Sequence, residues 1–264
     1  KFTMDKYGIK ANKALGQNFL ISDYVVDNII ENSNITKSDL IIEIGPGLGT
    51  LTSKLLEKAG KVIAIELDTK VLNILNDRFA LYKNFELINN DVLKVDLKNI
   101  INSNLTGNIT NAKVVANLPY YITTPIIMKL LEENLPLDTI TVMVQKEVAE
   151  RLCALPGIKE AGCITYSIYY YTEPKIILNV PRNSFVPAPE VDSAVINLKL
   201  LDKPRVQLSN ETLFFNIIRA AFSQKRKTLI NGLVNNKIIA SKDEAENILT
   251  SLGIGRKIIH TRFC

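Results

Sequence analysis

The stretch Asn117-Leu118-Pro119-Tyr120-Tyr121 follows the apolar run KVVA and carries an amide, a main-chain carbonyl held ahead of a proline, and aromatic rings. Pro119 fixes its own φ, keeps Leu118 extended and removes an N–H that would compete for acceptors. Such a stretch can simply end a strand in a turn. It can also grip a flat ring bearing an amine. The Asn117 side-chain oxygen and the Leu118 carbonyl can each accept one hydrogen of an exocyclic amine. Tyr120 offers a face for stacking, worth roughly 1–3 kcal/mol per base. If the ring is adenine, its N6 is a poor nucleophile because the lone pair is delocalised. Two acceptors would draw that nitrogen toward tetrahedral geometry and aim the lone pair at a methyl donor. A neutral thioether leaves without acid help, so positioning does most of the work. The chain has a single histidine, His260, which suits a reaction of this kind better than one driven by a histidine base.

A second group of residues complements the first. EIGPGLGTLT places Gly45, Gly47 and Gly49 between an apolar strand pattern and a helical one, so the backbone can turn sharply and approach a ligand. The spacing is G-x-G-x-G, not G-x-G-x-x-G, and no G-x-x-x-x-G-K-[ST] cradle is present. Glu66 ends the next strand pattern, where an acid can take both hydroxyls of a ribose. Asp91, in NNDVL, ends the one after and can accept from an exocyclic amine. Each acid alone reads equally well as a helix cap. A Gly loop, Glu and Asp at three successive strand ends fit an adenosine-containing cofactor laid across a sheet edge, and the glycine spacing favours S-adenosylmethionine over NAD.

The elements that must position these residues alternate regularly. LIIEIG, KVIAIE, FELINND, KVVANL and TITVMVQ read as strands, separated by helical patterns such as TLTSKLLEKA and TKVLNILNDRF. Thr124 is expected to cap a helix with Pro125 at its first position. This order predicts an α/β protein with a mostly parallel sheet and helices on both faces. After Pro156, CITYSIYYYT, PKIILNV and SAVINLKLL read as strands that close one edge in antiparallel fashion. From about Val206 the pattern is helical, with Phe214, Ile218, Ala221 and Phe222 on one face of a single run and a Ser241/Glu244 capping box further on. The boundary falls near 203, giving residues 1–203 and 204–264.

Composition bounds the class. The chain has 264 residues, 47% hydrophobic and 22% charged, as a globular protein should. No apolar run approaches the ~20 residues of a membrane span. No signal-peptide core is present, so a cytoplasmic protein is expected. Cys153, Cys163 and Cys264 show no metal-ligand spacing and no metal is expected. A net charge of +5 permits a polyanionic partner without requiring one.

The NLPY stretch resembles motif IV of the adenine-N6 methyltransferases. KALGQNFLISD, NSFVPAPEVDSAVINL and AAFSQKRKTLINGL, in that order, resemble segments of the small-subunit ribosomal RNA adenine dimethyltransferases, the kasugamycin-sensitivity enzymes. The resemblance spans nearly the whole chain. It departs after Ile254, where GRKIIHTRFC replaces a basic turn and further helix, and no role is assigned there. The resemblance implies a Rossmann-like class I methyltransferase fold with a small helical C-terminal domain. It implies dimethylation, from S-adenosylmethionine, of two adjacent adenosines in the 3′-terminal hairpin loop of small-subunit RNA, within a pre-assembled 30S subunit and by a monomer. By matching position, Asn18 and Leu20 of QNFL line the cofactor site. Gly45, Glu66 and Asp91 hold the methionine part, ribose and adenine of the cofactor. Asn117, Leu118, Pro119 and Tyr120 bind the target base, and Phe185 stacks on its other face. Phe185 also reads as a core residue.

Lys225, Arg226 and Lys227 with Arg219, and Lys10 and Lys13 beside Lys6, are candidate phosphate contacts, although a lone basic run is most often a solvated face. Three alternatives stand beside the dimethyltransferase. The macrolide-resistance methyltransferases of large-subunit RNA share the glycine loop, but Leu118 and FVPAPEVDSAV point away from them. A ribosome-assembly factor would keep RNA binding as its main role. A nicotinamide dehydrogenase is disfavoured by the glycine spacing.

Overall fold

The computed structural model describes residues 7–8, 11–12, 16–223 and 228–254. The chain divides into two compact units, one of Lys1–Ala149 with Glu173–Leu200 and one of Glu150–Thr172 with Leu201–Cys264. Glu150–Thr172, which the sequence pattern grouped with the sheet, cluster with Leu201–Cys264.

In chain order the elements are β1 (Phe19–Leu20), α1 (Asp23–Asn32), β2 (Asp39–Ile44), α2 (Thr50–Lys58), β3 (Lys61–Glu66), α3 (Thr69–Phe79), β4 (Phe85–Asn89), α4 (Leu97–Asn104) and β5 (Asn111–Asn117). A 3-10 turn at Tyr120–Ile122 leads into α5 (Thr123–Glu132), β6 (Thr139–Gln145) and α6 (Lys146–Leu152). Then come α7 (Cys163–Tyr171), β7 (Thr172–Val180), β8 (Phe185–Val186), β9 (Ser193–Leu200), α8 (Glu211–Phe222), α9 (Leu229–Asn235) and α10 (Lys242–Ser251).

Seven strands form one sheet in the order β4-β3-β2-β5-β6-β9-β7. β2 is parallel to β3 and β5, β3 to β4, and β5 to β6, whereas β9 runs antiparallel to β6. β2 buries all six of its residues, the pattern of a central parallel strand covered on both faces. From β2 the chain builds β3 and β4 on one side and β5 and β6 on the other. Order therefore reverses between β2 and β5, and open α/β sheets bind ligands outside the carboxyl ends of strands at such a point. A separate two-stranded ladder pairs β1 with β8, Phe19 opposite Val186 and Leu20 opposite Phe185. It joins QNFL to FVPAP. At the amino-terminal end of β2, Asp39 and Lys113 form a buried ion pair at 2.9 Å, and Lys113 also donates to the Asn34 carbonyl.

Four local expectations need correction. CITYSIYYYT supplies helix α7, not a strand. Its β-branched and aromatic residues carry strand propensity, but that preference yields to packing. Thr165 Oγ1 accepts from the Gly162 N–H and donates to the Arg151 carbonyl, closing the first turn. Tyr166 and Tyr170, four apart, then meet Phe222 and Phe215 with ring centroids 5.4 and 5.3 Å apart. Pro125 is the third residue of α5, because the helix starts at Thr123 with Ile122 as its cap. The position is tolerated since the first four N–H groups have no intrahelical acceptor. The helical run after Val206 breaks into α8 and α9, each with its own cap, Asn210 and Thr228. Finally, the Glu244 carboxylate accepts from the Ala240 N–H while Ser241 caps Glu244, a box shifted by one residue.

Candidate active site

The carboxyl ends of β2, β3, β4 and β5 open into one cleft. Gly45, Gly47, Glu66, Asp91, Asn117, Leu118, Pro119 and Tyr120 line it, as do Asn18 and Leu20. The row of strand ends read from the sequence is therefore contiguous in space.

Each side chain has a local cause for its position. Gly45 has φ +67°, and a Cβ built there meets no atom within 4 Å, so the loop leaves open room above it. Glu66 is 7% exposed and is held by the Gly47 N–H at 3.3 Å and the Asp68 N–H at 2.8 Å. Burial pushes its carboxyl up, and those main-chain donors oppose the shift. Asp91 Oδ1 accepts from the Leu93 N–H at 3.0 Å, which turns the chain after β4. Asn117 Nδ2 donates to the Asn18 carbonyl at 3.4 Å. That bond engages the amide nitrogen, and among the described residues nothing donates to Asn117 Oδ1 or to the Leu118 carbonyl. Two acceptors, on consecutive residues, are thus left without a donor at the end of β5.

Not every expected residue joins the cleft. Gly49 does not line it. With φ +78° it turns the chain into α2, and a Cβ there would lie 2.6 Å from the Phe79 ring. Phe185 is 2% exposed, sits in the core with Phe19 and Leu20, and is absent from the cleft lining among the described residues. Arg219 is exposed on α8 in the second unit and donates to Asn216. Lys10, Lys13, Lys225, Arg226 and Lys227 lie outside the described residues.

The cleft also recruits residues that the motifs did not single out. Tyr121 lines it and packs over Gly16, whose Cβ would fall 3.3 Å from the ring. Gln17 bridges to the cap of α3 by donating to Asp68 at 2.9 Å. Glu43 is the fifth of the six residues of buried β2, 1% exposed, with Oε2 unpartnered among the described residues. Burial first, and then the neighbouring Glu66 carboxylate, push its carboxyl up to about 8. The signal for Glu43 was legible: an acid inside a strand that is apolar on both faces cannot reach bulk water. The orphaned Glu43 oxygen, the open space above Gly45 and the two carboxylates fit an adenosine-bearing ligand with an amine-bearing tail. Among the described residues no cluster of His, Cys, Asp and Glu could hold a metal ion, and no helix is long and apolar enough to cross a membrane.

Comparison with known proteins identifies the family. The family model for ribosomal RNA adenine dimethylase matches residues 8–256. The chain is 49% identical over 254 residues to the ribosomal RNA small subunit methyltransferase A of Clostridium acetobutylicum, covering 96% of this chain and 90% of that one. It is 50% identical over 236 residues to the protein of the same name from Bacillus pumilus, covering 89% and 80%. Among solved structures, a dimethyladenosine transferase from Plasmodium falciparum aligns with a TM-score of 0.69 and 30% identity, covering 93% and 86%. The 23S rRNA methyltransferase ErmE aligns at 0.68 and 22% identity, covering 94% and 95%, a likeness of fold. The chain belongs to the ribosomal RNA adenine dimethylase family, methyltransferases whose methyl donor is S-adenosylmethionine.

Proposed function

We propose that the protein converts two adjacent adenosines in the 3′-terminal hairpin loop of 16S rRNA to N6,N6-dimethyladenosine, acting in the cytoplasm on a pre-assembled 30S subunit as a monomer. The observation that carries the reading is the pair of free acceptors at the end of β5, Asn117 Oδ1 and the Leu118 carbonyl, beside the cleft edged by Glu66 and Asp91. The names of the curated relatives support the small subunit over the large one.

When bound, S-adenosylmethionine supplies an electrophilic methyl group on a sulfonium, which the N6 lone pair takes as the methyl–sulfur bond breaks and sulfur keeps the electron pair. Glu66 binds the ribose hydroxyls, Asp91 the adenine amine, and the loop at Gly45 and Gly47 the methionine part, with Asn18 and Leu20 covering them. Asn117 Oδ1 and the Leu118 carbonyl each accept one N6 hydrogen of the target base. Pro119 keeps the second acceptor in place, and Tyr120 stacks on the ring. The base must leave its stack to reach them, at a cost of a few kcal/mol that stacking largely offsets. The N6 proton then passes to water. The second unit, with the basic residues near Lys225, takes part in holding the RNA.

The test is Asn117→Ala on 30S subunits that lack these methyl groups. The rate of methyl transfer should fall by about 10²-fold or more, because an aligned acceptor is lost, while the dissociation constant for S-adenosylmethionine stays within a few fold. A variant that methylates at the parent rate overturns the assignment. A variant that fails to methylate yet supports subunit maturation as well as the parent would favour RNA binding as the main role.

A further inference from the structure

We infer that Ser193 is a positioning residue for Tyr120 and that the bond between them determines whether methylation runs to completion: with it the same adenine is methylated twice, and without it the monomethyl product accumulates. The inference rests on the assignment of Asn117 to Tyr120 as the adenine-binding stretch.

The Tyr120 hydroxyl and Ser193 Oγ are hydrogen-bonded at 2.6 Å across 73 residues of sequence. Tyr120 belongs to a three-residue 3-10 turn, with only a short ladder to steady it. Ser193, by contrast, is 0% exposed and opens β9 directly opposite Gln145. The residue before it is anchored twice. The Asp192 carbonyl accepts from the Lys146 N–H at 3.0 Å, and Asp192 Oδ1 accepts from the Arg182 N–H at 3.0 Å. Ser193 is not part of the cleft lining, so it reaches a ligand there only through Tyr120. Its hydroxyl ties the far end of a cleft-lining ring to the rigid antiparallel half of the sheet. A tyrosine ring turns about two side-chain torsions; its oxygen lies on the axis of the second, so holding that oxygen fixes the first and with it where the ring sits in the cleft.

Chemistry makes that restraint matter most for the second transfer. An unmethylated N6 has two hydrogens, one for Asn117 Oδ1 and one for the Leu118 carbonyl. In each transfer the N6 lone pair forms the new N–C bond, the methyl–sulfur bond breaks with its electron pair going to sulfur, and one N6 proton goes to water. The monomethylated base then offers a single hydrogen to two acceptors. Half of its polar alignment is gone, and its orientation depends on the ring it stacks against.

The experiment compares the parent protein with Ser193→Ala, Tyr120→Phe, Ser193→Thr and the Ser193→Ala/Tyr120→Phe double variant on 30S subunits lacking the methyl groups. The ratio of N6-monomethyl- to N6,N6-dimethyladenosine is read by mass spectrometry of digested RNA, and S-adenosylmethionine affinity by calorimetry. Ser193→Ala and Tyr120→Phe should each raise the ratio by about 3–10-fold, the worth of one hydrogen bond. The double variant should do no more than either single one, because both remove the same interaction. Ser193→Thr, which keeps a hydroxyl, should stay near the parent, and cofactor affinity should hold within about twofold throughout. An unchanged ratio in Tyr120→Phe overturns the inference, whether or not Ser193→Ala folds, since that variant cuts the bond from the cleft side. A loss of cofactor affinity in step with the ratio also overturns it, because a general loosening of the sheet would do the same. A parent protein that makes no methylated adenine on these subunits overturns the underlying assignment as well, and the two failures are told apart by where they occur.

Discussion

Replacing Glu43 with glutamine should flatten the pH dependence of stability between pH 5.5 and 7.5. Glu43 is 1% exposed within β2, and burial, aided by the Glu66 carboxylate, raises its carboxyl from 4.5 to about 8. The folded protein therefore keeps a proton that the unfolded chain has released over that window. Stability from this group is whole below pH 4.5 and is lost as pH rises toward 8, where the folded state also ionises. One proton difference is worth about 1.4 kcal/mol per pH unit, so from pH 5.5 to 7.5 the group removes roughly 2–3 kcal/mol. Glutamine has nearly the same shape and does not titrate. Urea unfolding followed by circular dichroism at pH 5.5, 6.5 and 7.5 should show the variant gaining on the parent by roughly 2–3 kcal/mol across the series. Parallel curves, with a constant gap at all three pH values, would show that Glu43 does not hold a proton in the folded protein, and the electrostatic account of the cleft floor would fail.

Two further substitutions probe the frame. Gly49→Ala forces a side chain into φ +78° and against the Phe79 ring, 2.6 Å from the new Cβ; it should cost about 2–4 kcal/mol in urea unfolding. Lys113→Met strands the buried Asp39 carboxylate, now paired at 2.9 Å. It should cost about 3–5 kcal/mol in the same measurement, most of which a second change, Asp39→Asn, should recover.

The row of strand ends that lines the cleft was legible because its causes are local. Apolar runs with helical patterns between them fix the alternation of strand and helix, and parallel pairing then lines up every carboxyl end on one edge. Gly45, Glu66 and Asn117 each end a strand or follow it directly, and Asp91 comes two residues after β4, so the pattern alone was enough to bring them to one cleft. Glu43 could have been added by the same logic, since an acid inside a fully buried strand has nowhere to send its charge. Local pattern misled where packing overrode propensity. The tyrosines of α7 look like strand residues, yet their four-residue spacing lets them meet the phenylalanines of α8.

The sequence by itself determined the α/β order, the glycine turn after β2 and the chemical character of the residues at the sheet edge. Only the tertiary structure decided which atoms of those residues remain free to act. Asn117 offers its oxygen because Asn18, 99 residues earlier, takes its nitrogen. Tyr120 keeps its place at the cleft because Ser193, on a strand of opposite direction, pairs with its hydroxyl. Phe185 turns into the core because β8 pairs with β1. Periodicity fixes what a segment becomes, since it depends on neighbours along the chain; hydrogen-bond partners are chosen among groups that meet only after the strands have paired.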